Sequence, residues 1–149
     1  MNIAGSHQFA APRTAVFAAV CDPATLLAVI PGCEAVERVG PDEFEGQVTL
    51  RLPGAVGTYR THVRLVDAQP PERSGLDGSV EGAMGSVRGR ADFVLRDTEP
   101  GTAMEYRGSA RIDGPLARLD SRFAERLAQS LISQGLRALD ARLAMERHE

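Results

Sequence analysis

From Ser86 to Leu95 the chain alternates as a strand does. Val87, Gly89, Ala91, Phe93 and Leu95 fall on one parity and Arg88, Arg90 and Asp92 on the other. The same division recurs in the segments around it. One set of parities reads Phe44, Gly46, Val48, Leu50; Gly57, Tyr59, Thr61, Val63; Leu76, Gly78, Val80, Gly82; and Met104, Tyr106, Gly108, Ala110, Ile112. The opposite set is mainly polar, as in Glu105, Arg107, Ser109 and Arg111. A one-residue slip would turn a whole row over, so this pattern specifies the strand register. Turn chemistry separates the segments at Gly40-Pro41-Asp42, Pro53-Gly54, Pro70-Pro71, Gly82 to Gly85 and Glu99-Pro100-Gly101. Connections this short join antiparallel neighbours, which predicts a meander of about six strands.

The core-facing row is poor in side-chain volume. Glycine in a strand costs backbone entropy and packs nothing. Two readings are open, and they are compatible. In one, the glycines permit strong coiling of the sheet or a close approach of the covering helix. In the other, the row lines a hollow filled by something outside the chain, since interiors otherwise pack to crystal-like density.

Asn2 to Phe9 alternate and predict a first strand. Pro12 and Asp22-Pro23 then open two short helices, the first with the apolar stripe Val16, Phe17, Val20, Cys21 and the second with Leu26, Leu27, Ile30. After Gly114-Pro115 the period changes. Leu116, Leu119, Phe123, Leu127 and Leu131 recur at three and four, followed by Ala138, Leu139 and Leu143. This predicts one amphipathic helix of about 30 residues, roughly 45 Å long. It is the element long enough to cover the apolar face of the sheet. The expected fold is a single α+β domain over residues 1–149, with about seven antiparallel strands curled around a long C-terminal helix and two short helices between strands 1 and 2.

The chain has 149 residues and a net charge of -3, which gives no bulk attraction to nucleic acid. No apolar run approaches the roughly 20 residues of a membrane span. The N-terminus lacks the pattern of a signal peptide, so a cytoplasmic protein is expected. Cys21 and Cys33 lack metal-like spacing and read as buried or half-buried thiols. Nucleophile, metal and phosphate-loop motifs are not found, so no catalytic or metal residue is assigned. His7, on the inner parity of the first strand, reads either as a histidine satisfied locally or as a donor to a ligand carbonyl. Tyr59 and Tyr106 face inward and read either as core tyrosines with structural partners or as polar groups in an apolar pocket. His62 shares parity with Arg60 and Arg64 and is expected at the surface, and His148 lies in the tail.

The pocket is expected to be lined by His7, Tyr59, Thr61, Val80, Gly89, Ala91, Phe93, Tyr106, Gly108, Phe123, Leu127 and Leu131. Ile30, Pro31 and Gly32 read as its rim or as a plain helix stop. Arg118, Arg122 and Arg126, at i, i+4 and i+8, read as a docking stripe for an acidic partner or anionic lipid, or as a solvated face balanced by Asp120 and Glu125. Gly135 interrupts the helix's apolar stripe, for a kink, a portal or close packing.

The run FAAPRTAVFAAVCDPATLLAVIPGCEAVERVG, Phe9 to Gly40, resembles the N-terminal signature of the CoxG-like proteins, named for the CoxG component of carbon monoxide dehydrogenase. Its matching features are APR before the first helix, DP before the second and, above all, IPGCE. Later stretches, GTYRTHVRLVDAQPPE, GSVRGRADFVL and GPLARLDSRF, resemble the family's strands and helix entry. The family belongs to the START and birch-pollen-allergen-like superfamily (SRPBCC). The resemblance implies a helix-grip fold with a deep apolar cavity. It also implies a quinone (menaquinone or ubiquinone) or lipid as ligand, and association with a molybdenum hydroxylase that is thereby recruited to the inner face of the cytoplasmic membrane. Two rivals remain: a cyclase- or dehydratase-type enzyme of the same superfamily, and an interaction or maturation module with no ligand.

Overall fold

In a computed structural model, which describes residues 1–52 and 55–147, the chain forms one seven-stranded antiparallel sheet. The strands are β1 (Asn2–Phe9), β2 (Cys33–Gly40), β3 (Glu43–Leu52), β4 (Ala55–Gln69), β5 (Arg73–Gly82), β6 (Gly85–Asp97) and β7 (Thr102–Asp113). Their spatial order is β1-β7-β6-β5-β4-β3-β2, a meander closed by the first strand on its far edge. The helices α1 (Arg13–Val20) and α2 (Pro23–Val29) lie between β1 and β2, and α3 (Ser121–Arg147) ends the chain. The expected turn at Pro53-Gly54 and His148 lie outside the described residues.

The register follows the parity pattern. Directly opposed residues share a face, and the pairs Val48↔Tyr59, Thr61↔Val80, Gly78↔Gly89, Ala91↔Gly108 and Gly5↔Tyr106 join the inner rows of six strands without a slip. The large inner side chains gather at two ends. One cluster holds Phe9, Val16, Phe17, Phe93, Leu95, Met104, Leu139 and Leu143. The other centres on Val48, Tyr59 and Leu116.

The glycines between them have different reasons. A Cβ at Gly89 would stand 2.5 Å from the Ser109 carbonyl oxygen, and one at Gly108 would stand 2.9 Å from that of Arg90. Here the neighbouring strand's own backbone fills the space, so these two glycines allow the sheet to coil tightly. Gly89 and Gly108 lie on the inner face, but the volume they spare is taken up by the sheet itself. Gly78 differs: a Cβ there would meet only the His62 carbonyl oxygen at 3.6 Å and Val63 Cγ2 at 3.9 Å, ordinary contacts.

The long helix begins later than its apolar period suggests. Pro115–Arg118 forms a 3-10 turn, Leu119 is extended, and α3 starts at Ser121. Asp120 sets this boundary, because its Oδ1 accepts the N–H groups of Arg122 at 2.8 Å and Phe123 at 3.4 Å, two of the donors a helix start leaves unpaired. The helix therefore spans 27 residues, about 40 Å. The second short helix also departs from expectation: Thr25 and Val29 are its buried positions, while Leu27 and Ile30 are exposed. Asp22 precedes Pro23 as expected but makes no capping bond; it accepts instead from the Thr25 hydroxyl at 2.7 Å, which holds its carboxyl below the usual range.

The α3 helix lies along the outer edge of β1. Glu125 Oε1 accepts the Asn2 N–H and Asp140 Oδ1 accepts the Ala10 N–H, both at 3.3 Å. Fifteen helical residues rise about 22 Å and eight strand residues about 26 Å, so helix and strand run side by side in the same direction. These bonds occupy donors that an edge strand would otherwise offer to another chain.

The three glycines give a direct test of this packing. Gly89→Ala and Gly108→Ala should each destabilise the protein by about 1–3 kcal/mol, because backbone must move. Gly78→Ala should be neutral or stabilising by up to about 1 kcal/mol, through the lost entropy cost of glycine. Urea midpoints at unchanged denaturant slope are the measurement; equal effects at all three positions would remove the distinction.

Candidate functional site

Between the two clusters runs a row of small inner residues. Ala110, Gly89, Gly78 and Val63 oppose one another in register across β7, β6, β5 and β4. On one side of the row lie Gly108, Ala91 and Leu76, and on the other Val87, Val80 and Thr61. All ten residues are half-buried, although they face the side covered by α3. The helix comes closest to β1, α1 and α2. From it, Phe123, Leu127 and Leu131 supply half-buried apolar side chains; Leu127 packs onto the Tyr59 cluster, and Phe123 and Leu131 belong to neither cluster. The belt is thus apolar, lined mostly by small side chains, and open to solvent between two sealed ends.

The inward polar groups have distinct surroundings. His7 Nε2 lies 3.3 Å from Asp140 Oδ2, with its ring edge on Phe9 at 4.6 Å between centroids. It ties β1 to α3 and is thereby satisfied within the fold. Tyr106 reaches over Gly5, where any Cβ would collide with its hydroxyl, and hydrogen-bonds Gln129 of α3. Tyr59 is 1% exposed, and its hydroxyl has no partner among the described residues.

Thr61, Val80, Gly89, Ala91 and Gly108 of the expected lining therefore fall in the belt, with Phe123, Leu127 and Leu131 from the helix. Phe93 does not: it is 6% exposed and packs on Phe17 in the first core cluster, with ring centroids 5.8 Å apart. His7 lies beside that same cluster. Val63, Gly78, Leu76 and Ala110 belong to the belt and were legible in the inner rows. Gln129 and Asp140 carried no sequence signal, because their roles depend on which face of α3 meets β1.

The loop Ile30-Pro31-Gly32 sits against the middle of α3. A Cβ on Gly135 would stand 3.7 Å from the Val29 carbonyl oxygen and 3.9 Å from Pro31 Cδ, so Gly135 marks a close approach of helix and loop. Gly32 takes φ +77, and its carbonyl accepts the Thr49 N–H at 2.9 Å, which fixes the loop to β3.

Arg118, Arg122 and Arg126 are all exposed, and none forms an ion pair among the described residues. They do not form one helical stripe. Arg118 ends the 3-10 turn, and the break at Leu119 and Asp120 separates it from Arg122 and Arg126 on α3. Asp120 and Glu125, expected to balance them, bond to backbone N–H groups instead. His62 pairs with Glu43 at 3.2 Å on the outer face.

Two open clefts lie elsewhere. One, about 640 Å³, is lined by Arg60, Glu81, Ser86 and Asp113 near the β5–β6 turn, and the other, about 360 Å³, lies beside Asp42 and Arg64. Charged side chains line part of each, unlike the belt. Cys21 and Cys33 are free and half-buried, and burial pushes both thiols above their ordinary range. Among the described residues there is no cluster of His, Cys, Asp and Glu that could hold a metal, and no helix is long and apolar enough to cross a membrane.

Solved structures place this architecture among known ones. A conserved protein from Geobacillus kaustophilus is 25% identical, with a TM-score of 0.92 over 97% of this chain and 96% of that one. A protein from Chromobacterium violaceum, 16% identical with 94% of each chain covered, gives 0.74. The di-domain ARO/CYC protein StfQ of the steffimycin biosynthetic pathway is 14% identical and gives 0.70 over 99% of this chain and 52% of that one, a likeness of fold alone. No curated protein matches by sequence. The model of one family, the CoxG subunit of carbon monoxide dehydrogenase, matches residues 5–144. With the helix-grip fold and nearly the whole chain covered, this protein belongs to the carbon monoxide dehydrogenase CoxG family.

Proposed function

We propose that this chain is a non-enzymatic carrier of an apolar molecule, a quinone above all, and acts as an accessory subunit that brings a molybdenum hydroxylase of the carbon monoxide dehydrogenase type to the membrane. The observation that carries the ligand half is the half-buried row Ala110, Gly89, Gly78 and Val63, set between two sealed clusters. Exposed apolar surface in a covered layer is unfavourable by about 25 cal/mol per Å². A bound apolar body removes that surface from water. Family membership supports the partner half.

The rival enzyme reading needs ionisable groups at the belt. The inner-side pair His7 and Asp140 instead holds β1 to α3 beside Phe9. Docking is assigned to Arg122 and Arg126, exposed cations one turn apart without paired carboxylates, with Arg118 contributing from the neighbouring turn. An acidic protein face or anionic headgroups would complement them.

Short-tailed ubiquinone and menaquinone analogues at about 100 times Kd should stabilise the protein by about 2.7 kcal/mol, raising Tm by several degrees. Gly78→Leu should remove that shift while leaving the ligand-free Tm unlowered. No shift with either quinone or with fatty acids at saturation would sink the carrier reading.

Arg122→Glu combined with Arg126→Glu should weaken co-precipitation of the hydroxylase without changing Tm. Wild-type association should fall as salt rises from about 0.05 to 0.5 M, because exposed charges are screened. Salt-independent association that survives the double reversal would remove the docking role.

A further inference from the structure

Three ring-bearing polar side chains of the sheet face the space beneath the helix, and two are satisfied within the fold. His7 is bonded to Asp140, and Tyr106 to Gln129. Tyr59 is different in kind. Its side chain is among the most deeply buried in the protein, and its hydroxyl is buried without a partner among the described residues. The cluster it belongs to is otherwise apolar: Val48 and Leu116 are buried with it, and Leu119 and Leu127 are among the side chains packed against them.

The local sequence is shaped to hold this ring. A Cβ on Gly82 would lie 2.6 Å from Tyr59 Cδ1 and 2.9 Å from Cε1, so only glycine leaves room for it there. Filling an apolar slot requires the ring and not the oxygen. Phenylalanine would fill it without leaving a desolvated donor unpaired, and such a donor is destabilising. The hydroxyl therefore has no role in the ligand-free fold that packing explains.

Resting on the carrier reading above, we propose that the Tyr59 hydroxyl donates a hydrogen bond to an acceptor oxygen on the bound apolar molecule, and so selects a ligand whose polar head lies at the Leu116 end of the belt. The ligand class is an apolar ring or chain bearing a carbonyl. The hydroxyl is sealed from water in the ligand-free protein, so the head reaches it only as neighbouring side chains, Leu119 and Leu127 foremost, move aside. Both are half-buried, whereas Leu116 is buried.

The test compares a dimethylnaphthoquinone, methylated beside both carbonyls so that neither cysteine can add to it, with the dimethylnaphthalene of the same shape. Wild type and Tyr59→Phe are titrated with each by calorimetry, and ligand-free stability is read from urea midpoints. The expected result is about tenfold weaker quinone binding by Tyr59→Phe, unchanged hydrocarbon binding, and a ligand-free midpoint equal to or above wild type. The carbonyl stretch of the bound quinone should also move to higher frequency in the variant, as a hydrogen bond is lost. Equal binding of the quinone by both proteins, or equal loss of both probes, would overturn the role of Tyr59 and leave the carrier reading standing. A lowered ligand-free midpoint would show that the hydroxyl serves the fold, and would overturn it also. Failure of wild type to bind either probe would overturn both.

Discussion

Everything on the inner face depends on where α3 is held. The sheet alone would expose its apolar row, and α3 is the element long enough to cover it. Two carboxylates fix its course: Glu125 and Asp140 accept N–H groups from the two ends of β1, so the helix is set along the outer edge strand. The His7–Asp140 contact and the Tyr106–Gln129 bond add two cross-links on the inner side. None of these joins α3 to the middle strands. A helix fixed along one edge of a coiled sheet arches over the remainder, and between the two clusters the middle strands carry mostly small side chains. The half-exposed belt follows from this arrangement of attachments.

Most of the fold was legible because its signals are local or periodic. A period of two with one apolar parity set the register of six strands, and the same rows named the small residues of the belt. Turn residues gave the strand order of the meander. What escaped depended on three-dimensional neighbours. Apolar spacing ran through Leu116 and Leu119 into the helix, whereas Asp120 caps the helix and ends the preceding turn. Leu27 and Ile30 read as core because they are apolar, but α2 turns Thr25 and Val29 inward. Parity likewise assigned Gly89 and Gly108 to the lining without separating a glycine that spares room for a ligand from one that spares room for a neighbouring strand. Only the atoms that each missing Cβ would meet make that distinction.

The aromatic residues show how the belt is kept open. Phe9, Phe17 and Phe93 pack in one cluster and Tyr59 fills the other. Large rigid groups at both ends act as spacers between the layers, while glycine, alanine and valine occupy the sheet between them. Collapse of the middle would need the spacers to shrink or the sheet to flatten. Tight coiling, permitted at Gly89 and Gly108, opposes the second. The same two glycines lie in the belt against neighbouring backbone, where a Cβ would collide with Ser109 and Arg90 carbonyl oxygens, so their substitution should act on the fold before it acts on a ligand. Gly78, on the same row and one strand away from Gly89, has the opposite character, since a Cβ there would meet only ordinary contacts.

That division bears on how the chain could exchange a ligand with a membrane or an enzyme partner. With buried clusters at both ends, the carrier proposed above could fill or empty its belt without unfolding. The loop Ile30-Pro31-Gly32 meets α3 at Gly135, one turn beyond Leu131, and is itself pinned to β3 through Thr49. The first turns of α3 carry the exposed Arg122 and Arg126 beside half-buried Phe123 and Leu127. On the function proposed above, docking and access to the polar end of the site would both fall on one short stretch, Pro115 to Leu127, and a charge-reversal that disturbed only docking would leave quinone affinity of the isolated protein unchanged.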